Sequence, residues 1–204
     1  GLLMVVSGGI FAAFQRHLGR IMAYGSIVET GFSFLALSLD SRLGIPILFL
    51  LIPARALGLA VWSLSLTVIK ANVETMRFGA SRGVLRVTPL AGAGMIVATL
   101  STGAFPLLAG FPSRLALWEG LSRDSMSAAL WMAVGIIGLL TSAFRSLAVI
   151  SMADEYTAWQ RHESPTQVTM LGLGMLALFI LGLFPQTMQF FLANLPLMFE
   201  HLGR

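Results

Sequence analysis

Long apolar runs, each closed by polar or basic residues, constrain this chain more than any other feature. Residues 1–15, 21–39, 43–69, 87–122, 125–153 and 166–195 carry at most two charges each. Between them lie Arg16, His17 and Arg20, then Asp40 and Arg42, then the polar stretch from Lys70 to Arg86, then Arg123 and Asp124, then DEYTAWQRHESP ending at Pro165. A helix needs about 20 residues to cross a hydrocarbon core of about 30 Å, and most of these runs have that length. They lack the strict alternation of an outer-membrane strand. Only 11% of the 204 residues are charged, against about 25% in a soluble domain. High hydrophobicity excludes disorder, and the absence of cysteine excludes a disulfide scaffold. The expected fold is all-α: a polytopic transmembrane helix bundle of about six spans forming a single domain over residues 1–204.

One run does not fit a straight helix. Residues 87–122 would extend roughly 54 Å as one helix, and the run contains Gly103, Pro106, Gly110 and Pro112, which break helices. Two half-helices joined near STGAFPLLAGFP are expected, making this span discontinuous. Unwound backbone at membrane depth survives only when buried in protein or lining a wet cavity, and in transporters such breaks sit at the ion or substrate site.

The net charge of +4 reads as a topology signal and not as a nucleic-acid surface, because the cations stand between apolar runs. Alternate loops divide them unequally. Arg16, Arg20, Lys70, Arg77, Arg82, Arg86 and Arg161 fall on one side, and Arg42, Arg123 and Arg204 on the other. The loops at 70–86 and 154–165 are therefore expected to be cytoplasmic, with both ends of the segment on the outer side. The stretch at 70–86 reads as a loop or an interfacial helix. The chain opens on Gly1 inside an apolar run, which reads as a fragment of a longer protein.

Five charges fall inside the runs: Glu29, Arg55, Arg114, Glu119 and Arg145. Intramembrane ionisable residues are costly and are candidate functional groups. Glu29 lies near mid-depth, where burial disfavours a charged carboxyl, so it is a candidate proton carrier or a structural partner for an arginine. Arg55 follows Pro53 and needs a partner, for which Glu29 on the preceding run is the obvious choice. Arg114 follows the expected break, at the positive end of a half-helix, where a cation gains nothing from the dipole; a wet or acidic surrounding is expected. Glu119 and Arg123 have the spacing of a local ion pair. Arg145 lies eight residues before the end of its run and can snorkel toward the interface. Lys70 is the only lysine, so the cations within the runs are arginines that cannot be deprotonated. No catalytic, metal or cofactor-binding motif occurs: His17, His162 and His201 are scattered, and there is no nucleophile elbow, P-loop or dinucleotide fingerprint.

Three stretches carry a family resemblance. QRHLGRIMAYGSIVETGFSFLALSL (15–39), LSTGAFPLLAGFPSRLALWEGLS (100–122) and LGLFPQTMQFF (181–191) resemble, in order and spacing, segments of the antiporter-like membrane subunits of complex I. The family reads Q-x-D-L-K-R-L-L-A-Y-S-S-I-x-H-x-G-Y in the first, A-G-x-P-P-x-x-G-F-x-x-K in the second and G-x-x-P-Q-P in the third. Mrp-type antiporters and membrane-bound hydrogenase subunits share the fold. By position, Arg114 matches the ionisable residue of the family's later broken helix, which ends a proton half-channel. Glu29 matches the histidine of S-I-x-H, and Arg20 the arginine of K-R. Gly19 and His17 replace the lysine of that pair and the preceding aspartate. Arg145 resembles a basic residue of the following helix, and Arg55 stands in the span where some members carry a central lysine.

The resemblance implies the C-terminal part of a proton-translocating membrane-arm subunit of a complex I-like NADH:quinone oxidoreductase, in a bacterial inner membrane. Its partners would be other membrane-arm subunits and the lipid bilayer. This chain would do no redox chemistry itself and hold no cofactor; iron–sulfur clusters and flavin would lie in partner subunits. An Mrp-type cation/proton antiporter, a membrane-bound hydrogenase subunit and a scaffold that has lost conduction are the alternatives, the last because Arg114 is a fixed cation where relatives place a titratable group.

Overall fold

The computed structural model describes residues 1–152 and 162–187. The described residues form helices joined by turns and loops: α1 (Leu2–Phe14), α2 (Leu18–Ser38), α3 (Ser41–Asn72), α4 (Val84–Val87), α5 (Pro89–Thr102), α6 (Gly110–Asp124), α7 (Met126–Ser151) and α8 (Pro165–Leu183). Arg161, most of the loop at 154–165, and Glu200, His201 and Arg204 lie outside the described residues, as do the last four residues, 188–191, of the 181–191 stretch.

Helical periodicity sets the packing. On α2, Leu18, Ile21, Gly25, Val28, Phe32 and Leu35 are buried, three or four residues apart along one face. α1 buries Val5, Gly8, Gly9 and Ala12 and packs on α2 and α7. Its contact with α7 is backbone on backbone: a methyl group added at Gly9 would overlap Gly135, and one at Gly138 would overlap the Gly9 carbonyl. Small residues at a helix crossing permit this approach, and without a hydrophobic driving force between spans such packing is what holds them together.

α2, α3, α7 and α8 are long and apolar enough to cross a membrane. α3, at 32 residues, extends roughly 48 Å and carries Pro46 and Pro53 internally. α1 and α5 are apolar but only 13 and 14 residues long, about 20 Å each, so length alone does not make them spans. α5 ends at Thr102, where Gly103 and Pro106 withdraw helix propensity and backbone donors, and regular helix resumes at Gly110. α8 lies on the outside of the bundle, burying only Leu171 and Leu178. Its start is fixed by a capping box between Ser164 and Gln167, with Pro165 in the first turn.

The polar loops are knitted together at one end. Leu18 N donates to Met76 O at 2.9 Å and Phe78 N to Arg16 O at 2.9 Å, an isolated antiparallel bridge centred on His17 and Arg77. His162 N donates to Val87 O at 3.0 Å, and Glu163 Oε1 accepts from Ala91 N, in the first turn of α5, at 2.7 Å. The stretch at 70–86 is thus the last turn of α3, an irregular segment, and the start of the short α4.

Candidate functional site

The buried face of α2 brings Glu29 into the bundle, where it is 2% exposed. Three hydroxyl residues in the last turn of α5 are also buried: Thr99, Ser101 and Thr102. Thr99 and Thr102 donate back to Met95 O (2.7 Å) and Ala98 O (3.1 Å), which satisfies them in an apolar surrounding. Ser101 Oγ instead accepts from Gly110 N at 3.2 Å, tying the end of α5 to the start of α6. The link between them is tight: a Cβ at Gly110 would overlap the Ser101 carbonyl. Ala104 and Leu107, at φ 56° and 74°, sit in the left-handed region, which is sterically costly for a residue with a Cβ. α8 supports the link through Gly182, where a side chain would overlap the Leu107 and Leu108 backbone.

One turn into α6, Arg114 is 2% exposed. Its Nη2 donates to Glu29 Oε1, forming a buried ion pair between α2 and α6. Nη1 donates to Gly110 O at 3.1 Å and to Ser113 Oγ at 3.2 Å. The guanidinium carbon stands 5.2 Å from the centre of the Phe32 ring, within cation–π range. The Thr102 hydroxyl lies beside the Glu29 carboxylate. Glu29 Oε2 and Arg114 Nε have no hydrogen-bond partner among the described residues.

Arg55 approaches the same place from α3 but does not bind Glu29 directly. Its Nη2 donates to Thr30 Oγ1 at 3.0 Å, and its charge acts on Glu29 from there. The direct partner of the carboxylate is thus Arg114, from α6, and not Arg55 from the neighbouring α3. Glu29, Arg55 and Arg114 thus converge, with Thr30, Ser101, Thr102 and Ser113 as the hydroxyl lining.

The other two sequence candidates lie elsewhere. Glu119 and Arg123 form an ion pair at 2.6 Å, with side chains 61% and 67% exposed. Exposed pairs of this spacing contribute about 0.3–0.5 kcal/mol. A Glu119→Gln variant should therefore shift thermal unfolding by no more than about 0.5 kcal/mol, measurable by scanning unfolding in detergent. Arg145 reaches toward the end of the bundle where the polar loops meet. Its Nη1 donates to Ala13 O at the end of α1, where the carbonyls lack intrahelical partners, and its guanidinium lies 5.6 Å from the Phe78 ring. Among the described residues no group of three histidine, aspartate or glutamate side chains could hold a metal ion. The hydroxyls were not singled out in the sequence, although a Thr-x-Ser-Thr run just before a glycine-proline interruption is a readable signal.

The apolar helices and the ion pair buried beside a helix interruption define an integral membrane protein with a charged interior. The chain belongs to the transmembrane family of NADH:quinone oxidoreductase and Mrp antiporter subunits, whose model matches residues 1–153. NADH-quinone oxidoreductase subunit 14 of Thermus thermophilus is 31% identical over 190 residues, covering 90% of this chain and 42% of the relative. NADH-quinone oxidoreductase subunit N 3 of Streptomyces griseus is 26% identical over 193 residues, covering 91% and 34%. The chain therefore spans well under half the length of these relatives. A chain of the membrane-bound sulfane sulfur reductase, an archaeal respiratory membrane complex, shares the fold, with a TM-score of 0.83 at 18% identity over 94% of this chain and 39% of that one.

Proposed function

We propose that this chain is part of a proton-translocating membrane-arm subunit of a complex I-like NADH:quinone oxidoreductase, and that Glu29, Arg114 and Arg55 form its proton-handling site. The observation that carries this reading is the Glu29–Arg114 pair, buried beside the interruption between α5 and α6. On this reading α5 and α6 are two halves of one discontinuous span, and with α1, α2, α3, α7 and α8 they make six. The basic loops joined at one end of the bundle face the cytoplasm of a bacterial cell, by the excess of arginine on that side, and the ends of the segment face outward. The partners are further membrane-arm subunits, and the flavin and iron–sulfur clusters belong to other chains.

The chemistry follows from the two side chains. Arg114 stays charged and cannot relay a proton by titration. Glu29 can accept one, and doing so removes the partner of a buried cation. The pair then opens, and Arg114 is left to Gly110 O and Ser113 Oγ. Proton arrival at Glu29 is thereby coupled to the contact between α2 and α6. Arg55, held on Thr30, keeps a second positive charge close to the carboxylate and favours return of the pair.

A Glu29→Gln substitution in the intact complex is expected to lower the number of protons moved per electron while quinone reduction by the electron-transfer arm persists. Proton-to-electron stoichiometry in reconstituted vesicles measures this, and an unchanged ratio would falsify the assignment. The family also contains Mrp antiporter subunits, so sodium-dependent proton flux without an electron donor would place the chain in an antiporter. A scaffold without conduction would show neither effect.

A further inference from the structure

The end of the bundle where the loops meet carries a second charged feature, separate from the buried pair. Arg16, Arg77 and Arg82 line an open cavity of about 390 Å³ together with Phe78, Gly79, Val149 and Met152. Arg16 and Arg77 also line an adjoining cavity of about 370 Å³ with Arg20 and His17. Among the described residues neither lining includes a carboxylate; Glu74 borders a further cavity that shares only Arg82 with the first. All four arginines are exposed.

The position of this cluster is specific. α1 and α7, which pack together, end at it. Their outward surfaces are apolar up to that point: Phe11 and Phe14 on α1, and Phe144 and Leu147 on α7, are exposed, as is Met152 just beyond α7. An apolar helical surface that stops at three guanidinium groups matches the two parts of a membrane lipid, with acyl chains along the helices and a headgroup at the arginines. Guanidinium groups bind phosphate oxygens bidentately, and basic pockets at the membrane surface between spans recognise anionic lipid headgroups.

We infer that Arg16, Arg77 and Arg82 form a binding site for the phosphate headgroup of an anionic phospholipid, held in the groove between the ends of α1 and α7. The site uses none of the residues assigned to proton handling, so it can stand or fall separately from that function.

The test uses the full-length subunit in its native complex, delipidated in detergent and titrated with phosphatidylglycerol, with bound lipid counted by native mass spectrometry. The Arg16→Gln/Arg77→Gln/Arg82→Gln variant should lose one tightly held phosphatidylglycerol per subunit, with affinity at that site falling at least about tenfold. Arg42→Gln, an exposed arginine at the other end of the bundle, should lose none. Arg77→Gln alone should give a partial loss, which keeps the test open if the triple variant assembles poorly. Equal retention by wild type and both cavity variants would overturn the proposal. So would equal retention of phosphatidylcholine, displacement of the lipid by millimolar inorganic phosphate, or crosslinking of position 77 to an acidic segment of another subunit.

Discussion

Replacing Arg114 with methionine is expected to destabilise the bundle by about 3–5 kcal/mol, because it leaves the Glu29 carboxylate buried without its cation. Glu29→Gln should cost a similar amount by stranding the guanidinium. The combined Glu29→Gln/Arg114→Met variant should recover most of the loss, since removing both charges also removes both desolvation penalties. A double-mutant cycle on thermal unfolding in detergent measures the coupling. Simple addition of the two single losses would mean that the pair holds nothing together. The combined variant also separates stability from conduction. If the combined variant is stable but moves fewer protons per electron, the charges serve transport and not the fold.

The second large effect is expected at the crossing of α1 and α7. A valine at Gly9 would drive its side chain into the Gly135 backbone, and one at Gly135 would meet the Val5 carbonyl and side chain. Overpacked cores commonly lose roughly 1–3 kcal/mol, but here the obstacle is main chain on a neighbouring helix and cannot rotate away. Gly9→Val and Gly135→Val should therefore exceed that range, separate α1 from α7, and remove the hold of Arg145 on the Ala13 carbonyl. Gly172→Ala is the matched control, because a methyl group there meets nothing within 4 Å; it should be neutral or stabilising by up to about 1 kcal/mol, as alanine outranks glycine in a helix. Yield of monodisperse protein and unfolding temperature report both. A tolerated valine at Gly9 would mean that the two helices do not pack this closely.

Particular residues show how much of this was legible in advance. Glu29 and Arg114 stand out in the sequence as charges in apolar runs, and the acidic surrounding expected for Arg114 is Glu29 itself. Their pairing was not legible, because the two are 85 residues apart. Chain order pointed to Arg55 as the partner of Glu29, but Arg55 rests on Thr30 one residue away. Arg145 reaches toward the interface as its distance to the end of its run suggested, but its partner there, the Ala13 carbonyl, is set by the packing of α1 on α7. Gly9, Gly135 and Gly138 carry no mark in the sequence that distinguishes them from Gly58 or Gly172, around which there is open space.

The sequence by itself determined the all-helical membrane class, the charges that lie within apolar runs, and the region around Gly103 and Pro106 where regular helix stops. Those properties follow from transfer free energies and backbone propensities, which belong to consecutive residues. Only the tertiary structure decided which charge meets which, which glycines face another backbone, and which loops share an end of the bundle. These depend on how helices distant in sequence cross, and helix packing sets that geometry through contacts no local stretch contains.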